Sequence, residues 1–270
     1  MTGEEIYLTY AKKHARLSAE LLPEDPCADL LGGKAGAAWV FLQMFEATKE
    51  DVYVKLSQRA IAYLLPQAVQ TSHGIGWIPE NCEIPVGGMA HGNAGILIPV
   101  LWLAEFTGKE EYDLLAEKIW EYEDSLYNDH MENWADVREG KGEGEDTVAW
   151  CHGAAGILLS RLWCAKMVTD PKWKERLKRD IELAYKKTEH YWKRDSWSLC
   201  HGNGGNLWIL EIADRILWKT HKKRGNFGDI RLLPQERMNP GIMGGYGGVL
   251  LYLSHCIMDE DKEEKSSILI

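Results

Sequence analysis

Two Cys-His pairs and a third histidine are the residues of this chain whose types and spacing could perform chemistry. Cys151-His152 and Cys200-His201 each stand directly before a glycine, and His91 precedes a glycine in the same way. If these glycines begin equivalent structural repeats, the two thiols converge at one place. Two thiolates and one imidazole, from either His201 or His152, match a zinc ion whose fourth position stays open. An open position is typical of a catalytic rather than a structural zinc site.

A simpler interpretation is that these residues only pack, because free cysteine is among the most buried residue types and histidine beside glycine can cap backbone groups. Packing is the preferred interpretation for the cysteines that do not occupy the position before a glycine turn: Cys27, Cys82, Cys164 and Cys256. For Cys151 and Cys200, the repetition of the Cys-His-Gly sequence favours zinc.

The glycines after these residues belong to a Gly-x-x-Gly element that recurs along the chain. Its copies begin at Gly33, Gly92, Gly153, Gly202 and Gly245, and a run of small and apolar residues follows each. Glycine permits a tight turn and a close approach of backbones. A helix that is apolar nearly all round has to be enclosed by other elements. Each copy therefore predicts a tight turn that leads into a buried helix.

Charged segments with helical periodicity lie between the glycine elements, over 50–69, 109–129 and 170–192. No segment of comparable length shows the sustained alternation of a β-strand, so the chain is predicted to be all-α. Buried and amphipathic helices in alternation are expected to stack as an α/α array or to close as an α/α toroid, with the glycine turns collected at one end.

The remaining stretches are expected to be irregular without serving as interdomain linkers: 71–88, 140–146 and 221–241. Residues 1–270 are therefore expected to form one domain with five helical repeats.

Charge and composition exclude several classes of protein. The chain has 31 Lys and Arg residues against 41 Asp and Glu residues, a formal net charge of −10, which argues against a nucleic-acid partner. No stretch is long and apolar enough for a membrane span. The acidic first residues lack the apolar segment of a secretory signal, so a soluble, cytoplasmic protein is expected.

Five sequence motifs together resemble the LanC-like lanthionine cyclases, and the likeness covers nearly the whole chain. The motifs are Asp29-Leu30-Leu31-Gly32-Gly33, Met89-Ala90-His91-Gly92, Trp150-Cys151-His152-Gly153, Leu199-Cys200-His201-Gly202 and Pro240-Gly241-Ile242-Met243-Gly244-Gly245. The last motif looks most like the C-terminal cyclase domain of the class II lanthionine synthetases. The resemblance implies an α/α toroid with a Zn²⁺ ion held by Cys151, Cys200 and His201.

The activity that the resemblance implies is addition of a peptide cysteine thiol to dehydroalanine or dehydrobutyrine, which makes a thioether ring in lanthipeptide biosynthesis. After the attack, the α-carbon of the acceptor needs a proton. His91 is the candidate acid, Asp29 would orient it or stabilise its protonated form, and His152 is a second candidate acid. The implied partners are a dehydrated precursor peptide and either a dehydratase or the missing N-terminal repeats.

The chain departs from the family pattern in two ways. It carries five of the seven repeats, apparently the last five, so an incomplete toroid is expected. Some members also have an arginine four residues before the first zinc cysteine, where this chain has Thr147, and Arg138 is a candidate for the lost charge.

Other functions remain open at this stage. The chain could add glutathione to dehydrated residues, or bind a peptide without catalysis. A glycoside hydrolase would need two carboxylates at the rim, where only Asp29 is expected.

Overall fold

The computed structural model describes residues 5–138, 144–191, 196–217 and 233–258, and shows inner helices surrounded by outer ones. The helices are α1 (Glu5–Leu21), α2 (Lys34–Thr48), α3 (Val52–Leu64), α4 (Asn93–Thr107), α5 (Glu110–Ser125), α6 (Ala154–Met167), α7 (Pro171–His190), α8 (Asn203–Ile216), α9 (Pro234–Arg237) and α10 (Tyr246–Met258). A 3₁₀ turn covers Leu65–Gln67. The strands are β1 (Val69–Thr71), β2 (Gly74–Gly76), β3 (Tyr127–Asn128) and β4 (Asn133–Trp134).

The prediction of a helical fold is confirmed, since a helix follows each of the five glycine elements. The inner helices α2, α4, α6, α8 and α10 pack against one another in sequence order, and α3, α5 and α7 pack outside α2, α4 and α6. Among the described helices, α10 and α2 do not pack together as successive inner helices do, so these helices form an arc that is not closed by helix packing. In α4 every residue from Asn93 to Ala104 is buried, as an enclosed helix requires.

Some element boundaries differ from the sequence predictions. The outer helix predicted for 50–69 ends at Leu64, because Pro66 forms the 3₁₀ turn and Val69 pairs with Gly76 in an antiparallel ribbon. That ribbon and the β3–β4 ribbon are short strands that the all-α prediction did not include, and α1 was not predicted either. Of the stretches predicted to be irregular, 140–143 and 221–232 lie outside the described residues, as does Trp192 at the end of the predicted helix 170–192.

A ladder of backbone hydrogen bonds joins the five glycine turns. Leu31 N–H donates to Ala90 O (3.2 Å), Ala90 N–H to Cys151 O (3.2 Å), Cys151 N–H to Cys200 O (3.3 Å) and Cys200 N–H to Met243 O (2.8 Å). Each of these residues stands two positions before the first glycine of its motif. Equivalent positions of successive repeats are therefore direct neighbours on one rim of the arc.

The second glycine of each motif lets the preceding loop fold back onto its helix. The N–H groups of Gly36, Gly95, Gly156 and Gly205 donate to the carbonyl oxygen seven residues earlier, which satisfies a donor that the first turn of a helix leaves free. A Cβ atom at any of these glycines would overlap the carbonyl oxygen six residues earlier. Only glycine allows this approach.

Replacement of Gly95 by alanine tests this close approach. We expect Gly95→Ala to lower the free energy of unfolding by about 1–3 kcal/mol, because the new methyl group would meet Met89 O and the Cβ of Leu30. Gly32→Ala is the matched control, since no atom lies within 4 Å of a Cβ built there, and its effect should stay within about 0.5 kcal/mol. Denaturant unfolding of both variants measures the difference, and equal effects would contradict this account of the motif.

Candidate metal and acid-base centre

The ladder brings Cys151 and Cys200 together, as the sequence predicted for equivalent positions of two repeats. Cys151 N–H donates to Cys200 O at 3.3 Å, so the two residues are direct neighbours on the rim. The interaction between the two thiols lowers the pKa of Cys151 and raises the pKa of Cys200. Cys151 is buried and Cys200 is partly exposed.

His201 lies at the rim beside the cysteine pair but faces a different partner. Its Nε2 atom is 3.3 Å from Oε1 of Glu236, and 44% of the side chain is exposed. Within the described ranges, no three Cys, His, Asp or Glu side chains are assembled in a way that could hold a metal ion. Two cysteines and one histidine are ligand types that suit zinc, but in this structure the Nε2 atom of His201 lies beside Glu236.

His91 and Asp29 form the second pair at the rim. His91 Nδ1 is 2.7 Å from Asp29 Oδ2, and the other carboxylate oxygen accepts a hydrogen bond from Gly32 N–H at 2.9 Å. The hydrogen bond to Asp29 raises the pKa of His91 against the opposing effect of burial. Burial raises the pKa of Asp29, but the hydrogen bonds from His91 and Gly32 outweigh it and the net shift is downward. At a pH between the lowered pKa of Asp29 and the raised pKa of His91, the carboxylate is negatively charged and the imidazole is positively charged.

His152 has a different environment, although it occupies the same motif position as His91 and His201. Its side chain is buried, and its ring centroid is 6.3 Å from that of His91. Burial, followed by the charge of Arg138, lowers the pKa of His152 to about 4. Its Nε2 atom is buried and has no hydrogen-bond partner among the residues that the structure describes. His152 is therefore neutral at pH 7.

Arg138 carries a positive charge near the two cysteines. The guanidinium forms a bidentate pair with Asp136, with Nη2 at 2.6 Å from Oδ2 and Nε at 2.9 Å from Oδ1. Asp136 itself is held by backbone hydrogen bonds to Glu145 at 2.9 Å in both directions. The positive charge of Arg138 lowers the pKa values of both cysteines. The carbonyl oxygen of Thr147 accepts a hydrogen bond from the side-chain amide of Asn133, and its N–H donates to Glu145 O.

A buried ion network supports the loop that carries His91. Arg161 Nη2 donates to Glu123 Oε2 at 2.5 Å and Nε donates to Asp180 Oδ2 at 2.9 Å, with all three side chains fully buried. Glu123 Oε1 accepts the N–H of Gly88 at 3.3 Å. Since Gly88 lies three residues before His91 and packs against the backbone of Cys151, this network links α5, α6 and α7 to the rim.

Sequence reasoning missed Glu236 and Asp136 as site residues. Glu236 occupies the third position of α9 and accepts the N–H of the N-cap residue Leu233, a local contact that gives no indication of a histidine partner. Asp136 has no motif context, and its burial against Arg138 becomes visible only in the folded chain.

Several known proteins resemble this chain in sequence. The family model described as "Lanthionine synthetase C-like protein" matches residues 4–270. The lacticin 481/lactococcin biosynthesis protein LcnDR2 of Lactococcus lactis subsp. lactis is 30% identical over 134 residues, 46% of this chain and 14% of that protein. The nisin biosynthesis protein NisC of the same organism is 22% identical over 200 residues, 65% of this chain and 46% of that protein. This chain thus matches less than half the length of both relatives.

A solved structure shares the fold. The nisin cyclase structure has a TM-score of 0.58 and 17% sequence identity, over 94% of this chain and 68% of that one. This likeness supports the α/α-toroid fold class that the sequence predicted. Within the described ranges, none of the helices has both the length and the apolar character that crossing a membrane requires.

Substitution of Asp29 tests the origin of the raised His91 pKa. We expect Asp29→Asn to lower the pKa of His91 toward its ordinary value, because the variant loses the charge that stabilises the imidazolium form. A pH titration of the His91 ring signals by NMR measures the shift. Asp25→Asn is the control, since Asp25 accepts a hydrogen bond from Cys27 N–H instead, and an equal shift in both variants would contradict the assignment.

Proposed function

This chain belongs to the lanthionine synthetase C-like family, and we propose that it is a zinc-dependent cyclase of lanthipeptide biosynthesis. Its substrate is a dehydrated precursor peptide, in which a cysteine thiol adds to a dehydroalanine or dehydrobutyrine to form a thioether ring. The observation that carries this proposal is the backbone hydrogen bond that places Cys151 beside Cys200 on the rim that also bears the His91–Asp29 pair.

Cys151, Cys200 and His201 are the residues that would hold the zinc ion. The backbone N–H of Cys151 donates to Cys200 O, and His201 directly follows Cys200 in the chain. Zinc bound there would lower the pKa of a substrate thiol at its open position, which supplies the thiolate nucleophile at neutral pH. The nearby Arg138 guanidinium favours negative charge at this end of the site.

His91 is the acid of the proposed reaction. The sulfur–carbon bond forms at the β-carbon of the dehydro residue, the π electrons move toward the α-carbon and its carbonyl, and the α-carbon then takes up one proton. His91 is 41% exposed, so it can reach a bound peptide, and Asp29 keeps it protonated to higher pH. We assign the proton to His91 rather than to His152, which is buried and neutral at pH 7. The activity that depends on this acid falls as the pH rises above the raised pKa of His91.

An apolar cavity beside the rim fits a peptide substrate. It has a volume of about 680 Å³, within the range of small-ligand sites. Its walls include Leu31 and Trp39 on one side and Trp150 and Met243 on the other. Because Trp150 directly precedes Cys151, apolar side chains that flank the reacting cysteine can lie in this cavity while the thiol stays at the rim.

Zinc analysis tests the metal centre. We expect about one zinc ion per purified chain, because a catalytic site of this ligand set binds a single ion. Cys151→Ala and Cys200→Ala should lose the metal, whereas Cys27→Ala, which alters a thiol outside the glycine-turn positions, should retain it. Elemental analysis gives the zinc content and circular dichroism checks the fold. Folded variants of Cys151 and Cys200 that keep their zinc would contradict the assignment.

A cyclisation assay tests the function. Ring closure leaves the mass of the peptide unchanged, so it is detected as loss of thiols that iodoacetamide can alkylate. We expect the wild-type chain to close a ring in a dehydrated peptide with one cysteine, and His91→Ala to slow the reaction by about a hundredfold, which is typical for loss of a general acid. His73→Ala is the control, since His73 lies exposed in the β1–β2 turn.

The same assay separates the alternative functions. A cysteine-free dehydrated peptide that gains the mass of glutathione would identify a glutathione-adding enzyme instead. A chain that binds zinc and the peptide but forms no thioether under either condition would be a peptide-binding module.

A further inference from the structure

Glu236 is a buried carboxylate at the rim, and it makes two contacts besides the one that caps its own helix. Only 2% of its side chain is exposed. Oε2 accepts a hydrogen bond from Leu233 N–H at 2.7 Å, which caps the short helix α9. Oε1 accepts a hydrogen bond from Ser196 Oγ at 2.7 Å and lies 3.3 Å from His201 Nε2. The carboxylate therefore joins three separate parts of the rim.

The contact with His201 differs from the contacts with Leu233 and Ser196, because the carboxylate oxygens already have hydrogen-bond donors without it. Leu233 and Ser196 already satisfy one oxygen each, as a buried carboxylate needs. The His201 ring is nearly half exposed and points its Nε2 atom at this charge. A carboxylate at that distance favours the tautomer that carries its proton on Nε2, and this leaves the lone pair on Nδ1.

We propose that Glu236 is the positioning residue of the third metal ligand, a role that rests on the proposed zinc site. It holds the Nε2 proton of His201 and thereby leaves Nδ1 as the nitrogen for the metal. Nδ1 is also the ring nitrogen nearer the backbone, which suits a histidine that shares one ion with the cysteine directly before it. Carboxylates in this position orient metal-binding histidines and strengthen their binding.

Zinc affinity of the full chain tests this role. We expect Glu236→Gln to raise the zinc Kd about 10- to 100-fold, because glutamine can still accept the Leu233 N–H bond but carries no charge for His201. Competition against a chromophoric zinc chelator measures the Kd. Ser196→Ala is the matched control, since it removes another contact of the same carboxylate oxygen, and its Kd should stay within about threefold of wild type.

A second measurement keeps the proposal falsifiable if a variant folds poorly. Nitrogen NMR of the zinc-free chain should show His201 with its proton on Nε2 in the wild type, and a mixture of tautomers in Glu236→Gln. A His201 ring that carries its proton on Nδ1 in the wild type would overturn the proposal.

The outcomes also separate this role from the zinc site itself. Zinc binding that His201→Ala weakens and Glu236→Gln leaves unchanged overturns the role of Glu236 alone. A wild-type chain that binds no zinc overturns the metal centre and the role of Glu236 together.

Discussion

The backbone hydrogen-bond ladder through the five glycine turns is the constraint on which the site depends. Each bond contributes about 0.5–1.5 kcal/mol by itself, but together they align the same motif position of every repeat. Since the ladder uses only backbone atoms, its side chains are free to differ. They are Leu31, Ala90, Cys151, Cys200 and Met243. The two cysteines therefore occupy this position in two adjacent repeats without any change in the framework.

At the rim, each of three exposed side chains lies beside a more buried carboxylate. His91, Arg138 and His201 are each between 41% and 47% exposed, and each is paired with a carboxylate that is 15% exposed or less. Those carboxylates are Asp29, Asp136 and Glu236. A carboxylate beneath each exposed group limits its orientations before a substrate arrives, which is how functional sites reduce the entropy of reaching the reactive geometry. The net charge of −10 does not describe this rim, where a guanidinium and two imidazoles are more exposed than the carboxylates beside them.

Sequence patterns predicted the five inner helices, but they did not predict the two short ribbons or the helix α1. The inner helices were predictable because glycine spacing and continuous apolar runs are local signals, and all five were found. Both short ribbons escaped prediction, because strands of two or three residues are too short for an alternating pattern to show. The helix α1 was also missed, although its residues Ala15 and Ala19 pack into the core.

The sequence by itself determined which residues could be ligands and that they would share one rim, because the repeated motif places Cys151 and Cys200 at equivalent positions. The family resemblance also suggested that Asp29 supports His91, and only the tertiary structure placed Glu236 beside His201. Glu236 lies 35 positions after His201, and Asp29 lies 62 positions before His91. Such pairs depend on how successive turns superpose in space. No local sequence pattern predicts that superposition, because the two members of each pair are distant in the chain and become neighbours only when it folds.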